Sequence, residues 1–167
     1  GIDREIPEDH FTLNENALQK AQFIKDHYGW DCFADDTGLE IDALNGEPGV
    51  FSARYSRMGA LQYPEMEVAQ GNIRKVLESM ADTSVRTARF RTVIALVMNG
   101  ETHYFEGRVD GTILKAPRGE EGFGYDPIFM PDGYDRSFAE MDLWAKNRIS
   151  HRARAVQKLF NHLMEDN

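Results

Sequence analysis

The chain has 167 residues, of which 41% are hydrophobic and 28% charged, and its formal net charge is −9. This length suits one domain, residues 1–167, with a substantial hydrophobic core. The acidic excess argues against a protein that binds DNA or RNA, because basic surfaces supply most of that affinity. No apolar stretch approaches the roughly 18 residues of a membrane-spanning helix, so we expect no membrane partner.

The charge is unevenly distributed along the chain. Residues 1–50 hold twelve acidic and three basic side chains, whereas residues 51–167 hold sixteen of each. The first residues are acidic and lack an apolar run, so we expect no signal peptide. The single cysteine, Cys32, cannot form an intramolecular disulfide, which favours a reducing, cytoplasmic location.

The first half of the chain predicts one helix and two short strands. The helix is expected from Thr12 to Tyr28, since Thr12 suits an N-cap and Gly29 suits a left-handed C-terminal position. A short buried strand is expected at Cys32–Ala34, followed by a polar turn. A second strand is then expected at Leu39–Leu44, where apolar and acidic residues alternate.

The second half predicts two helices and a hairpin. One helix is expected from Pro64 to Met80, with Pro64 in its first turn. Strands at Thr87–Met98 and Thr102–Leu114 are joined by Asn99-Gly100, a strong hairpin signal. A last helix should follow Ser150, a suitable N-cap. Its inward-facing residues are predicted to be Ala153, Val156, Leu159, Phe160 and Leu163. Helices combined with hairpin strands favour an α/β or α+β fold with a mixed sheet.

Two adjacent carboxylates, Asp35 and Asp36, follow the first short strand. Two such charges beside an apolar strand are costly unless a cation neutralises them, and Mg²⁺ readily takes oxygen ligands. A solvated turn explains the same residues, because aspartate and glycine are common in turns. The motif alone leaves both interpretations open.

Two motifs in the C-terminal half fit a nucleotide. In Gly122–Phe129 aromatic residues alternate with glycines, so the backbone can approach a flat ligand while a ring stacks on it. In Lys146–Arg152 basic side chains precede a helix, where they can meet phosphate or base oxygens. An aromatic loop packed on the core and an ordinary basic helix start are the structural alternatives.

Together these motifs have the composition of a Mg²⁺–nucleoside triphosphate site, in which metal and cationic side chains share the neutralisation of the polyphosphate. No Walker A loop or GxGxxG fingerprint is present, which excludes an ordinary P-loop NTPase.

The same motifs closely resemble the signature of the inosine/xanthosine triphosphate pyrophosphatase family, and the resemblance covers nearly the whole chain. It is carried by Glu15–Ala17, Lys20–Ala21, Ala34–Leu44, Pro48–Val50, Ser52–Tyr55, Gly122–Pro127, Lys146–Asn147 and Ser150–Arg152. The resemblance implies an elongated mixed β-sheet flanked by helices, with two lobes and the active site in the cleft between them. It also implies a homodimer that uses Mg²⁺ to hydrolyse non-standard purine nucleoside triphosphates to the monophosphate and pyrophosphate.

The resemblance implies a role for individual residues. Asp36 would be the general base and a metal ligand, and Glu8 the second carboxylate of the metal site. Lys20 and Lys146 would hold phosphates, and Asp35 would orient the site. The other substrate-binding residues would be Thr37, Phe123, Gly124, Tyr125, Asp126, His151 and Arg152.

For three of these residues the resemblance implies a more specific role. Tyr125 is expected to stack on the nucleotide, while His151 and Arg152 would read the purine O6. Donors aimed at O6 disfavour adenine, whose 6-amino group is itself a donor.

The resemblance also leads us to expect that the family's N-terminal strand, phosphate-binding loop and first helix are absent from this chain. The alternative function is therefore a truncated, catalytically silent nucleotide-binding or dimerisation module.

Overall fold

The computed structural model describes residues 4–165. The helices in this range are α1 (Leu13–Tyr28), α2 (Val68–Ser79), α3 (Leu143–Ile149) and α4 (His151–Glu165). The strands are β1 (Cys32–Ile41), β2 (Pro48–Gly49), β3 (Thr87–Met98), β4 (Glu101–Ile113) and β5 (Phe129–Pro131). The two long strands β3 and β4 form the centre of the fold, and the helices pack against their faces. This confirms the α/β architecture with an elongated sheet flanked by helices.

The described strands form one sheet in the order β2-β1-β3-β4-β5. Every pairing within residues 4–165 is antiparallel, so the expectation of a mixed sheet is wrong for this part of the chain. The turn between β3 and β4 gives one reason. Asn99 and Gly100 have φ angles of 52° and 81°, which suit a tight hairpin between consecutive strands. A parallel pair would need a much longer crossover connection.

Helix α1 has the ends that the sequence predicted. The Thr12 hydroxyl accepts a hydrogen bond from the Glu15 N–H at 3.2 Å. Gly29 adopts φ 73° and donates its N–H to the Lys25 carbonyl at 2.9 Å. The buried side of α1 packs on β3 through a small cluster, Leu13, Ala17, Val93 and Ala95. The helix is therefore held at both ends and on one face.

Strand β1 is longer than predicted. It runs unbroken over ten residues and pairs with β3 from Cys32 to Ile41, so the expected polar turn does not exist. Asp35 and Asp36 lie within this strand. Because successive side chains of a strand point to opposite faces, the two carboxylates are directed to opposite sides of the sheet. Pairing with β3 and separate polar partners on each face allow both acids to occupy the strand.

Helix α4 packs on the sheet face opposite α1, through a cluster formed by Ile94, Leu96, Ala155 and Leu159. Gly107 of β4 allows this close approach. A Cβ at Gly107 would lie 1.8 Å from the His151 carbonyl oxygen, so any other residue would push the start of α4 off the sheet. Gly107 therefore positions His151.

The beginning of α4 agrees with the sequence prediction, since the Ser150 hydroxyl accepts a hydrogen bond from the Ala153 N–H at 3.2 Å. The predicted inward face is partly wrong. Val156 and Phe160 are 46% and 56% exposed. Ala155 and Leu159 form the side of α4 that contacts the sheet. Val156 and Phe160 each follow one of these residues in the sequence and therefore lie further around the helix.

Helix α2 begins at Val68, later than the predicted Pro64. The Glu67 carboxylate accepts hydrogen bonds from the N–H groups of Ala69 and Gln70, at 2.8 and 3.2 Å, and so caps the helix. Pro64 belongs to the preceding turn. Helix α2 packs against the 3₁₀ helix Ser52–Arg57, and together they form a second layer beside the sheet. None of the helices described in residues 4–165 is long and apolar enough to cross a membrane.

Candidate active site

Four residues form a group that we call the carboxylate cluster: Glu8, Asn16, Lys20 and Asp36. Helix α1 supplies Asn16 and Lys20 one turn apart, so both side chains point to the same side. The Lys20 ammonium contacts the Glu8 carboxylate and lies 3.3 Å from Asp36 Oδ1. The Asn16 amide donates to Asp36 Oδ2 at 3.2 Å. The structure thus brings together Glu8, Lys20 and Asp36 as the resemblance implied.

The environment of Asp36 shifts the pKa of its carboxyl group. Burial raises the pKa of the Asp36 carboxyl above its usual value, while the Lys20 ammonium and the Asn16 hydrogen bond act in the opposite direction. Burial dominates because removing the carboxylate from water disfavours its charged form. Asp36 is therefore a stronger proton acceptor than an aspartate in water.

The carboxylate cluster has the oxygen donors that suit a small divalent cation. Glu8 and Asp36 flank a single ammonium, so one positive charge already lies between the two carboxylates. Within residues 4–165 no three His, Cys, Asp or Glu side chains form a group that could hold a metal ion. A Mg²⁺ bound here would therefore take most of its remaining ligands from water or a substrate, as Mg²⁺ commonly does.

On the other face of β1 lies a cavity of about 350 Å³, which we call the apolar pocket. Its walls come from the sheet, the 3₁₀ helix Ser52–Arg57, α2 and α4, so it occupies a cleft between the sheet and the second layer. The lining residues are Thr37, Gly38, Leu39, Ser52, Ala53, Glu67, Val68, Ala69, Asn72, Phe90, Phe123, Gly124, Tyr125, Asp126, His151 and Arg152.

His151 lines this pocket, and one of its ring nitrogens, Nδ1, is buried without a hydrogen bond among the described residues. Its side chain stacks on Phe90 with ring centroids 4.7 Å apart and planes inclined by 14°. Burial, helped by the charges of Arg152 and Lys146, lowers the pKa of His151 to about 3. The ring is neutral at physiological pH, and its buried Nδ1 has no hydrogen-bond partner among the described residues. A buried polar atom without a partner is costly and favours a ligand.

Arg152 extends the polar edge of the pocket. Its guanidinium lies 3.2 Å from Asp35 Oδ2 and 3.5 Å from Thr37 Oγ1. The Thr37 hydroxyl also lies 2.7 Å from the Thr92 hydroxyl. Asp35 therefore holds Arg152 beside the pocket.

Lys146 forms a buried ion pair. Its ammonium lies 2.5 Å from Asp126 Oδ2 and 4.5 Å from the centroid of the Phe123 ring. Asp126 also accepts the Phe123 N–H at 2.9 Å. A Cβ on Gly122 would lie 2.1 Å from Asp126 Oδ2, so the glycine is required here. Lys146 thus contacts the loop of residues 123–126, which lines the apolar pocket. Among the described residues it has no contact with the carboxylate cluster, where Lys20 lies.

The two aromatic residues of this loop differ in accessibility. Tyr125 is 5% exposed, and its hydroxyl donates to the Ser52 carbonyl at 2.7 Å. Burial raises the pKa of Tyr125 far above its usual value. Phe123 is 67% exposed. Between them Gly124 adopts φ 60°, which turns the loop. Phe123 therefore has a ring face free for a ligand, whereas Tyr125 forms part of the pocket wall.

A model of the Ham1 family matches residues 1–162. The chain belongs to the Ham1 family. The dITP/XTP pyrophosphatase of Porphyromonas gingivalis is 50% identical over 165 residues, which are 98% of this chain and 81% of that protein. The dITP/XTP pyrophosphatase of Bacillus subtilis is 45% identical over 162 residues, 95% of this chain and 78% of that protein. The structure of the Staphylococcus aureus Ham1 protein aligns with a TM-score of 0.90 at 37% identity, covering 99% of this chain and 83% of that one.

Sequence reasoning gave no role to two residues that shape this Ham1 site. Asn16 is 1% exposed and contacts Asp36. Phe90 lies on β3 and carries the His151 ring. A polar residue among the inward positions of α1 was the available signal for Asn16. Phe90 alternates with polar residues like any core residue of a strand, so its contact with His151 had no signal in the sequence.

Proposed function

We propose that this Ham1-family chain hydrolyses non-standard purine nucleoside triphosphates, namely dITP, ITP and XTP, to the nucleoside monophosphate and pyrophosphate. Such an enzyme removes these nucleotides from the nucleotide pool. The proposal is carried by the relatives named dITP/XTP pyrophosphatase, which are 43–50% identical over at least 93% of this chain. The positions of the carboxylate cluster and the apolar pocket also support it, because the adjacent β1 residues Asp36 and Thr37 belong to one each.

In the proposed reaction Asp36 acts as the general base. A water oxygen forms a new bond to the α-phosphorus while the bond from that phosphorus to the bridging oxygen of the β-phosphate breaks. The water proton passes to the Asp36 carboxylate, and pyrophosphate leaves with the electron pair of the broken bond. Burial raises the pKa of Asp36, which supports the role because a base works best when its pKa approaches the working pH.

Mg²⁺ is the proposed cofactor, held by Glu8 and Asp36. When bound, it would neutralise phosphate charge during the transfer. Lys20 lies between the two carboxylates and would bind phosphate oxygens from the same side. The oxygen donors of the carboxylate cluster support this assignment.

We propose that the apolar pocket binds the nucleoside end of the substrate. The neutral His151 and the guanidinium of Arg152 would donate to the keto oxygen O6, and Phe123 would contact the base. An adenine would place a donor against these donors and leave buried groups unpaired, which disfavours ATP and dATP. Thr37, Gly124, Tyr125, Asp126 and Lys146 would complete the site. The resemblance implied that Lys146 holds phosphates; we assign it to the nucleoside end instead, because it pairs with Asp126.

We further propose that the protein is a homodimer and acts in the cytoplasm. The homodimer rests on the family resemblance. The location rests on the proposed substrates and on Cys32, the single cysteine, which is free. Sedimentation analysis that finds a single monomeric species would contradict the homodimer.

The test is pyrophosphate release from dITP, ITP, XTP and dATP, with Mg²⁺ and with the metal chelated. We expect release from the three non-standard nucleotides only, and only with the metal. A chain that binds dIMP but releases no pyrophosphate would instead support the silent module, which no observation on the described residues favours. Hydrolysis of dATP at the rate of dITP would contradict the assignment of His151 and Arg152.

A further inference from the structure

Asn16 uses its whole side-chain amide inside the carboxylate cluster. Its Oδ1 accepts the His10 N–H at 2.9 Å, and its Nδ2 lies 3.3 Å from the His10 carbonyl. The same Nδ2 donates to Asp36 Oδ2 at 3.2 Å. The residue is 1% exposed. One buried amide therefore joins the backbone of the segment that carries Glu8 to the side chain of Asp36.

The geometry divides the two oxygens of Asp36 between two partners on α1. Oδ2 receives the amide of Asn16, while Oδ1 lies 3.3 Å from the ammonium of Lys20. A neutral amide fixes the direction of a carboxylate without adding a charge, so it does not compete with a cation. Lys20 can bind other anions, whereas Asn16 has no free donor to offer a ligand.

A second link joins the same segment to α1, but it does not reach Asp36. The Gln19 amide accepts the Asp9 N–H at 3.0 Å and donates to the Asp9 carboxylate at 3.2 Å, at an exposed position. Among the described residues, Gln19 forms hydrogen bonds with Asp9 and none with Asp36. A comparison of Asn16 with Gln19 can therefore separate the anchoring of this segment to α1 from the orientation of the Asp36 carboxylate.

We propose that Asn16 is a positioning residue. It fixes the Asp36 carboxylate relative to Glu8, so that both carboxylates are directed toward the same bound cation. This inference rests on the proposed function. Partners that orient metal-binding carboxylates typically contribute 10- to 100-fold to activity or metal affinity. We expect an effect of that size from an amide that touches neither substrate nor metal.

The experiment compares Asn16→Ala with Gln19→Ala in the full chain. We expect Asn16→Ala to lower kcat for dITP by about 10- to 100-fold with KM changed by less than about threefold, and to raise the half-saturating Mg²⁺ concentration. Calorimetric titration of the nucleotide-free protein with Mn²⁺ should show weaker binding by Asn16→Ala than by wild type. Gln19→Ala should match wild type in both measurements. Equal effects of the two variants would overturn the proposal.

Asn16→Asp provides a second variant that keeps the volume and the acceptor for the His10 N–H but cannot donate to Asp36. We expect kcat to stay low, because the His10 N–H keeps its acceptor while the new carboxylate repels Asp36 instead of donating to it. Recovery of wild-type kcat would overturn the proposal. If wild type itself fails to hydrolyse dITP, the proposed function fails, while the Mn²⁺ comparison still decides the role of Asn16. Equal Mn²⁺ titrations of wild type and Asn16→Ala, including no binding by either, would overturn it.

Discussion

The carboxylate cluster and the apolar pocket are built from consecutive residues of one strand, yet they differ in almost every physical property. Asp36 points toward α1 and has its partners inside the protein, on Asn16 and Lys20. Thr37 points to the other face, where the neighbouring His151 keeps a buried nitrogen without a partner among the described residues. One side is charged and internally satisfied, and the other is apolar and incomplete. In the proposed function, the strand therefore separates the residues that act on the phosphates from those that bind the base.

Asp36→Asn should separate the two regions most strongly. The amide keeps the shape of the side chain but cannot accept a proton, so we expect kcat/KM for dITP to fall by roughly 10²- to 10⁴-fold. Affinity for dIMP, measured by calorimetry, should stay within about threefold of wild type, because the pocket on the other face is unchanged. A parallel loss of dIMP affinity would show that the two regions do not act separately.

Lys146→Met should lower the stability of the protein by breaking an ion pair beside the apolar pocket. The substitution leaves the Asp126 carboxylate, 3% exposed, without its cation. Breaking a buried pair by removing one partner costs about 3–5 kcal/mol of unfolding free energy. Urea unfolding measures it, and the exposed pair of Arg74 and Glu78 offers a control. Arg74→Ala should leave the urea midpoint unchanged, and an equal shift in both variants would contradict the prediction.

His151→Phe should weaken recognition and spare the chemistry. A phenyl ring preserves stacking on Phe90 but removes the nitrogen that has no partner. We expect KM for dITP to rise about tenfold, which corresponds to about 1.4 kcal/mol, with kcat changed by less than about threefold. The preference for dITP over dATP should fall as well. A lower kcat at unchanged KM would place His151 with Asp36 rather than in the pocket.

The last prediction concerns the pH dependence of stability. Because the pKa of His151 is lowered from 6.5 to about 3 in the folded chain, the unfolded state binds more protons between these values. Stability should therefore fall as the pH drops below 6.5, by at most about 1.4 kcal/mol per pH unit from this residue. Urea unfolding at pH 7, 6 and 5 should show a steeper loss for wild type than for His151→Phe. Equal slopes would show that folding does not lower the pKa of His151.

Much of this arrangement could be predicted from local sequence. Capping residues define α1, and an Asn-Gly pair defines the hairpin between β3 and β4, because both depend on neighbours within a few positions. Three residues of the carboxylate cluster, Glu8, Lys20 and Asp36, followed from the resemblance, whereas Asn16 did not. The directions of the Asp35 and Asp36 side chains could not be predicted. Two adjacent polar residues are typical of a turn, and only the pairing with β3 shows that they lie in a strand.

The sequence by itself determined the family, the ends of α1, the start of α4 and the residue types that suit a nucleotide and a divalent cation. Only the tertiary structure decided which lysine lies where, with Lys20 between two carboxylates and Lys146 buried against Asp126. It also decided that Tyr125 is part of the pocket wall while Phe123 is exposed. The physical reason is that burial and ion pairing depend on contacts between residues far apart in the chain. Asp126 and Lys146 are twenty positions apart, and no local pattern records their contact.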